Sequence, residues 1–235
     1  MQTRPGLTRS IRLFRAFRTE QDDPGGYYSV LAADTAAQLL SYTPLDKAVV
    51  LDVGGGPGYF IREFARHGAR GVCVDVNAGE LAGGGILGSA LELPFADASV
   101  DVCFSSNVLE HVPDPWRMAE EMVRVTKPGG VVFLAYTNWL SPWGGHETSP
   151  WHYLGGERAA RRYQARHGRP PKNRYRHSLF PVSVAAGLRW ARRARDAELV
   201  DALPRYLPWW WRPVLKVPVL REFATWNLVL VLRRK

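Results

Sequence analysis

An α/β fold with a mostly parallel sheet is predicted, and three observations carry the prediction. Val49-Val50-Leu51-Asp52-Val53 is a short, nearly unbroken apolar run ending in glycines, as in a strand buried on both faces of a parallel sheet. Comparable runs recur at 71–75, 100–105 and 131–136, separated by helix-length segments. The chain has 235 residues, of which 46% are apolar and 23% charged, enough for one domain with a substantial core. That balance excludes a disordered, collagen-like or disulfide-stapled protein.

The elements follow in order. Residues 7–18 place Ile11, Phe14 and Phe17 on one side and arginines on the other, which predicts an amphipathic helix. Pro24-Gly25-Gly26 reads as a turn, and 27–41 as a second helix. Strand 49–53 leads to a helix at 59–67, strand 71–75, a weak strand at 86–88 and strand 100–105. Pro113 and Pro115 precede a helix over 116–125, and Lys127-Pro128-Gly129-Gly130 turns into strand 131–136. Past Trp139 the apolar periodicity stops for about forty residues, as expected of an inserted segment rather than a layer of the core. A helix at 181–193 follows, then strands 199–206 and 226–233 joined by Pro208–Trp226. The expected organisation is one domain: N-terminal helices (1–45), a core (46–138), a lid insertion (139–180) and a C-terminal helix with strands (181–235).

The net charge of +9 is unevenly spread. Residues 1–19 carry +5, from Arg4, Arg9, Arg12, Arg15 and Arg18, residues 20–155 carry −10, residues 156–195 carry +11, and residues 196–235 carry +3. An acidic body thus wears two basic segments, which suits either an anionic partner or plain solvation in a chain with 26 arginines. No apolar run approaches the ~20 residues needed to span a bilayer. The early arginines leave no apolar signal core. Cys73 and Cys103 each sit in a strand-like run rather than in a disulfide framework. A cytoplasmic chain is expected.

Asp52-Val53-Gly54-Gly55-Gly56-Pro57-Gly58 is the most informative stretch, directly after a strand and before a helix. Its glycines permit a sharp turn and close approach of backbone to ligand. A dinucleotide fingerprint fails, because Tyr59 stands where its last glycine would be. Asp75 ends the next strand, where a carboxylate can accept bonds from both ribose hydroxyls; a helix cap is the blander role. The D-x-G-x-G-x-G spacing resembles the first motif of class I S-adenosylmethionine-dependent methyltransferases, and Gly88-Ser89-Ala90-Leu91-Glu92-Leu93-Pro94-Phe95 resembles their third segment. Ser89 stands where that family often has Asp. Ser106-Asn107-Val108-Leu109-Glu110-His111-Val112 matches the fourth segment, and Lys127–Gly130 the turn before the fifth strand. The matches span residues 49–136 and are closest to the small-molecule branch of that family, including small actinobacterial enzymes.

The resemblance implies a Rossmann-like sheet of seven strands with an antiparallel terminal strand. It implies S-adenosylmethionine as cofactor and S-adenosylhomocysteine as product. The cofactor residues it implies are Asp52, Gly54, Gly55, Gly56, Gly58, Asp75, Val76, Ser89, Ala90, Leu91, Ser106 and Asn107. It does not carry the acceptor with it. Ser105-Ser106-Asn107-Val108 lacks the Pro-Pro-aromatic motif of enzymes that act on exocyclic or amide nitrogens, and neither cysteine follows a proline. Nucleic acid is therefore disfavoured.

Methyl transfer to a hydroxyl calls for a base. His67 and His167 read as surface residues, and His177 stays ambiguous. His111, His146 and His152 are the candidates, with Glu147 to orient the base or bind the acceptor. His146 is preferred because a Gly-Gly turn precedes it and an acid follows it. A divalent metal on His146, Glu147 and His152 is the less favoured alternative. All nine tryptophans lie at 116 or beyond, suggesting aromatic platforms on the acceptor side, with Trp190 and Trp226 assigned to core filling. The triplet Trp209–Trp211 is too contiguous for one buried face. The expected reaction is O-methylation of a small molecule such as a saccharide. A polyketide or lipid acceptor, an RNA-directed enzyme and a non-catalytic cofactor-binding partner protein are the alternatives. Peripheral membrane contact and a homodimer stay open.

Overall fold

The computed structural model describes residues 6–20, 22–79, 81 and 84–235. Arg4 lies outside the described residues. Seven strands, β1 Val49–Val53, β2 Arg70–Asp75, β3 Ile86–Leu87, β4 Val100–Ser106, β5 Thr126–Thr137, β6 Ala197–Pro204 and β7 Asn227–Arg234, form one sheet in the order β3-β2-β1-β4-β5-β7-β6. Only β7 runs antiparallel to its neighbours, β5 and β6. This is the expected Rossmann-like sheet.

Each central strand feeds two cores, because side chains alternate across the sheet. Leu51, Val53, Cys103, Val132 and Leu134 pack with helices α4 Pro115–Val125 and α6 Val184–Arg193. Val50, Val102, Phe104, Val131 and Phe133 face the helices α1 Leu7–Arg18, α2 Pro24–Leu39 and α3 Tyr59–Arg66. Full burial of each such side chain contributes roughly 1.5–3 kcal/mol, so this double-faced sheet is the main store of stability. All the parallel strands end at one edge, where α/β proteins place their ligands.

Four expectations are corrected. Pro24-Gly25-Gly26 is not a turn but the first turn of α2, because the Asp23 carboxylate accepts from the Gly26 N–H at 2.9 Å and Pro24 supplies no N–H of its own. On α1 the buried residues are Ser10 and Leu13, whereas Ile11 is exposed. Its arginines do not all face solvent, since Arg9 turns inward onto Asp34 at 2.6 Å. Lys127–Gly130 does not break the chain but belongs to β5, with Gly129 at φ +77° and a register shift between Val100 and Val102. The helix expected at 181–193 starts at Val184, because the Ser183 hydroxyl accepts from the Ala186 N–H at 3.0 Å.

The inserted segment is built, not bare. It holds 3-10 turns at His146–Thr148 and Trp151–Leu154 and an α-helix, α5 Gly156–His167. Helix α5 buries only Gly156 and Ala159 and is otherwise rich in arginine, so it offers almost no apolar periodicity to read. A 3-10 segment, Trp209–Lys216, and a short helix, α7 Leu220–Ala224, join β6 to β7.

Candidate functional site

The glycine loop sits between β1 and α3. Gly54, Gly56 and Gly58 have φ of +76°, +46° and +76°, a region L side chains rarely adopt. A Cβ on Gly54 would meet Val108 Cγ2 at 2.4 Å, so the loop also lies against the chain leaving β4. Gly58 adopts the left-handed conformation as N-cap of α3. Beside it, Asp75 accepts from the Gly56 N–H at 3.3 Å and from the Asn77 N–H at 2.9 Å.

Beneath the loop, Asp52 is buried and its Oδ2 has no partner among the described residues. Burial, reinforced by Asp75, pushes its carboxyl up to about 8. A cradle that side chains would fill, an acid at the strand end and an orphaned buried carboxyl oxygen fit the expected cofactor, with its ammonium and ribose. Ser89, Ala90 and Leu91 follow β3, where the Ser89 hydroxyl accepts from the Leu91 N–H at 3.1 Å. Val76, directly after β2, is 72% exposed. Ser106 ends β4, and Asn107 after it is fixed at φ +59° with its N–H on Ala135 O and its Oδ1 accepting from Asn227 Nδ2 at 2.8 Å.

On the other side of β4 the chain makes a 3-10 turn, Leu109–His111. Glu110 is 1% exposed; its Oε1 accepts from the Thr137 N–H at 3.0 Å and its Oε2 has no partner among the described residues. His111 Nδ1 lies 2.6 Å from the Ser178 carbonyl, which can only accept, so that nitrogen is the donor. The His111 and His146 rings meet edge to face with centroids 5.0 Å apart. His146 stands at φ +50°, with Nδ1 3.5 Å from Gly144 O. Burial holds its imidazole below the ordinary range, with Glu110 opposing and His111 adding to the effect.

Glu110, His111 and His146 bring potential ligand atoms within 4.8 Å of one another. His146, Glu147 and His152, the trio expected as a less favoured metal set, are not such a group among the described residues. Glu147 accepts instead from Asn173 Nδ2 at 3.0 Å. His152 is 1% exposed, with Nε2 3.1 Å from Ser141 O and its ring 5.2 Å from Trp139. His67, His167 and His177 are exposed.

Aromatic rings pair along α1 and α2, several of them inside the core. Tyr28 stacks on Tyr59 of the glycine loop at 5.5 Å, the Tyr27 and Tyr206 hydroxyls meet at 2.8 Å, and Phe17 packs against Trp143 at 5.1 Å. Trp190 stacks on Trp116 at 5.8 Å and Trp226 packs on Phe14 at 5.6 Å, each partly buried against the core.

Two residues escaped sequence reasoning. Glu110 lay inside a quoted motif, and its place directly after a strand end was the available signal. Arg205, just past β6, carried none. It is fully buried, donating to Ser106 Oγ and Thr35 Oγ1 at 2.6 Å each, with no ion pair among the described residues.

Residues 51–134 match a family model described as a methyltransferase domain. A protein of Mycolicibacterium gilvum named "uncharacterized methyltransferase" is 51% identical over 246 residues, covering 98% of this chain and 96% of that protein. A counterpart of the same name from Mycobacterium tuberculosis is 50% identical, with 97% and 96% covered. Among solved structures, an S-adenosylmethionine-dependent methyltransferase from Mesorhizobium loti shares the fold with a TM-score of 0.58 at 18% identity, covering 86% of this chain and 98% of that one.

Proposed function

The chain belongs to the class I S-adenosylmethionine-dependent methyltransferases, and from that premise we propose that it methylates a hydroxyl of a small molecule such as a saccharide. The observation that carries this reading is the imidazole pair His111 and His146 beside buried Glu110, at the strand edge that also bears the glycine loop. When bound, the cofactor supplies an electrophilic methyl group on a sulfonium.

The chain's own residues do the rest. Gly54, Gly56 and Gly58 would give the backbone room to approach the cofactor, Asp75 would accept from its ribose hydroxyls, and the buried Asp52 carboxyl would offset its positive charge. An alcohol is a weak nucleophile while protonated, so its proton passes to an imidazole nitrogen of the pair. His146, kept neutral by burial, is free to accept it at neutral pH. His111, tethered through Nδ1 to Ser178 O, presents Nε2 on the same side of the chemistry or orients its neighbour. Glu110 stabilises whichever imidazole becomes cationic.

The test is incubation with isotope-labelled cofactor and a small-molecule extract of the source organism, read by mass spectrometry. Label on a hydroxyl oxygen of a small molecule supports the reading. Label found only on nitrogen, carbon or RNA overturns it.

A further inference from the structure

The 3-10 turn Trp151–Leu154 is anchored from within and apolar without. His152 points inward to Ser141 O, while Trp151, Tyr153 and Leu154 are 41%, 42% and 63% exposed. Tyr153 meets the ring of Phe223 at 6.1 Å, which joins this turn to α7. There Val219, Leu220 and Phe223 are 70%, 50% and 44% exposed. Apolar side chains exposed together in this way mark a contact surface.

The same surface is bordered by cations. Arg162 lies over the Trp151 ring at 3.8 Å, and its neighbours at one-turn spacing on α5, Arg158 and Arg166, share its stripe. No ion pair forms on these three among the described residues, and residues 169–176 add four further basic side chains without an acid. Indole and leucine beside unpaired guanidinium groups is the composition that settles into a lipid interface, with rings at the headgroup level and arginine on anionic lipid.

We propose that the face formed by the Trp151–Leu154 turn, α7 and α5 docks on an anionic lipid bilayer. Charge selects this occupant, because the unpaired arginine stripe of α5 demands a negative partner and the apolar crest beside it demands one it can enter. The turn that docks lies directly after the segment bearing His146, so docking brings the candidate acceptor edge to the bilayer. The docking stands independently of the base chemistry proposed above.

The full-length protein should co-sediment with vesicles of phosphatidylcholine containing about one third phosphatidylglycerol, and roughly 10-fold more weakly with phosphatidylcholine alone. Leu154→Ser with Phe223→Ser should reduce binding to the anionic vesicles by about 10-fold or more. Arg158→Glu with Arg162→Glu should do the same, and added salt should weaken the wild type. Neither pair should alter S-adenosylhomocysteine affinity, which also reports that the variants fold. Absence of vesicle binding overturns the proposal. So does a dependence on the arginines alone, which would mark a site for soluble polyanions such as RNA. A concentration-dependent dimer that Leu154→Ser abolishes would assign the face to a second copy instead.

Discussion

Arg205 Nη1 donates to Ser106 Oγ at 2.6 Å, joining the end of β6 to the end of β4 through a fully buried cation. The nearby carboxylate does not serve it: Asp34 accepts from Arg9 Nε and Nη2, while Arg9 Nη1 donates to the Arg205 carbonyl at 2.8 Å. A buried charge without a counter-ion costs several kcal/mol, and groups kept at such a cost cluster where ligands are handled. Arg205→Met should therefore leave thermal stability unchanged or raise it, by at most about 1–4 kcal/mol. Turnover should fall by about 10-fold or more, as when a fixed charge is removed from a reaction site. Parallel melting curves and rates check this; a loss of stability that accounts for the lost turnover would make Arg205 a structural brace.

The glycine loop and Asp75 are tested by calorimetry with S-adenosylhomocysteine. Asp75→Ala should weaken binding by about 1.5–3 kcal/mol, the usual magnitude for hydrogen bonds to a charged group. Gly56→Val should abolish binding. Gly54→Ala should also lower the melting temperature, because its φ of +76° disfavours a side chain and the new methyl group would overlap Val108. Unchanged affinity in both Asp75→Ala and Gly56→Val would remove the loop from cofactor binding.

The sheet was legible because each strand is a run of buried residues bounded by glycine, proline or charge, as in Val49–Val53 and Val100–Ser106. Asp52, the glycines and Asp75 were legible because they lie within one strand-turn-helix-strand unit and depend on local spacing. Helix α5 was not, since its stability rests on helix-forming alanine, arginine and glutamine with almost no buried face. The meeting of His111 with His146, and of Arg205 with Ser106, depends on segments 35 and 99 residues apart in sequence. Pattern reading along the chain contains no term for such contacts. His146 and His152 lie six residues apart in one segment, yet one ring faces His111 and the other is enclosed on Ser141 O.

Asp52 makes stability and binding depend on pH. Its carboxyl is raised to about 8 in the free protein, first by burial and then by Asp75. The folded chain therefore holds a proton that the unfolded chain releases near 4. That contribution is complete below the unfolded value and is lost as pH rises through about 8. The free protein should lose stability over this window, and Asp52→Asn should flatten the loss. A cationic ligand favours the carboxylate, so cofactor binding should tighten from pH 6 towards about 8 and release a proton. Calorimetry in buffers of different ionisation enthalpy measures that proton, and a release of zero would mean that Asp52 does not face the charge.

The base is the last test, and it turns on separating three histidines that the structure treats differently. His146→Ala should leave S-adenosylhomocysteine affinity intact and lower turnover by ~10²–10⁴-fold, the range for loss of a general base. His111→Ala should reduce turnover as well, through the shared edge-to-face contact. His152→Ala should act otherwise. Its ring is enclosed and bonded to Ser141 O, so the fold should lose about 2–4 kcal/mol from the cavity and the missing bond, with turnover per folded molecule near wild type. Because burial depresses His146 below its ordinary value, the acid limb of the rate profile should lie below pH ~6.5. The fold should lose stability over the same range, since the unfolded chain takes up the proton first. If His111→Ala and His146→Ala both retain near-wild-type turnover, histidine base catalysis is wrong. Buried Glu110, with its unpartnered Oε2, would then be the next group to remove.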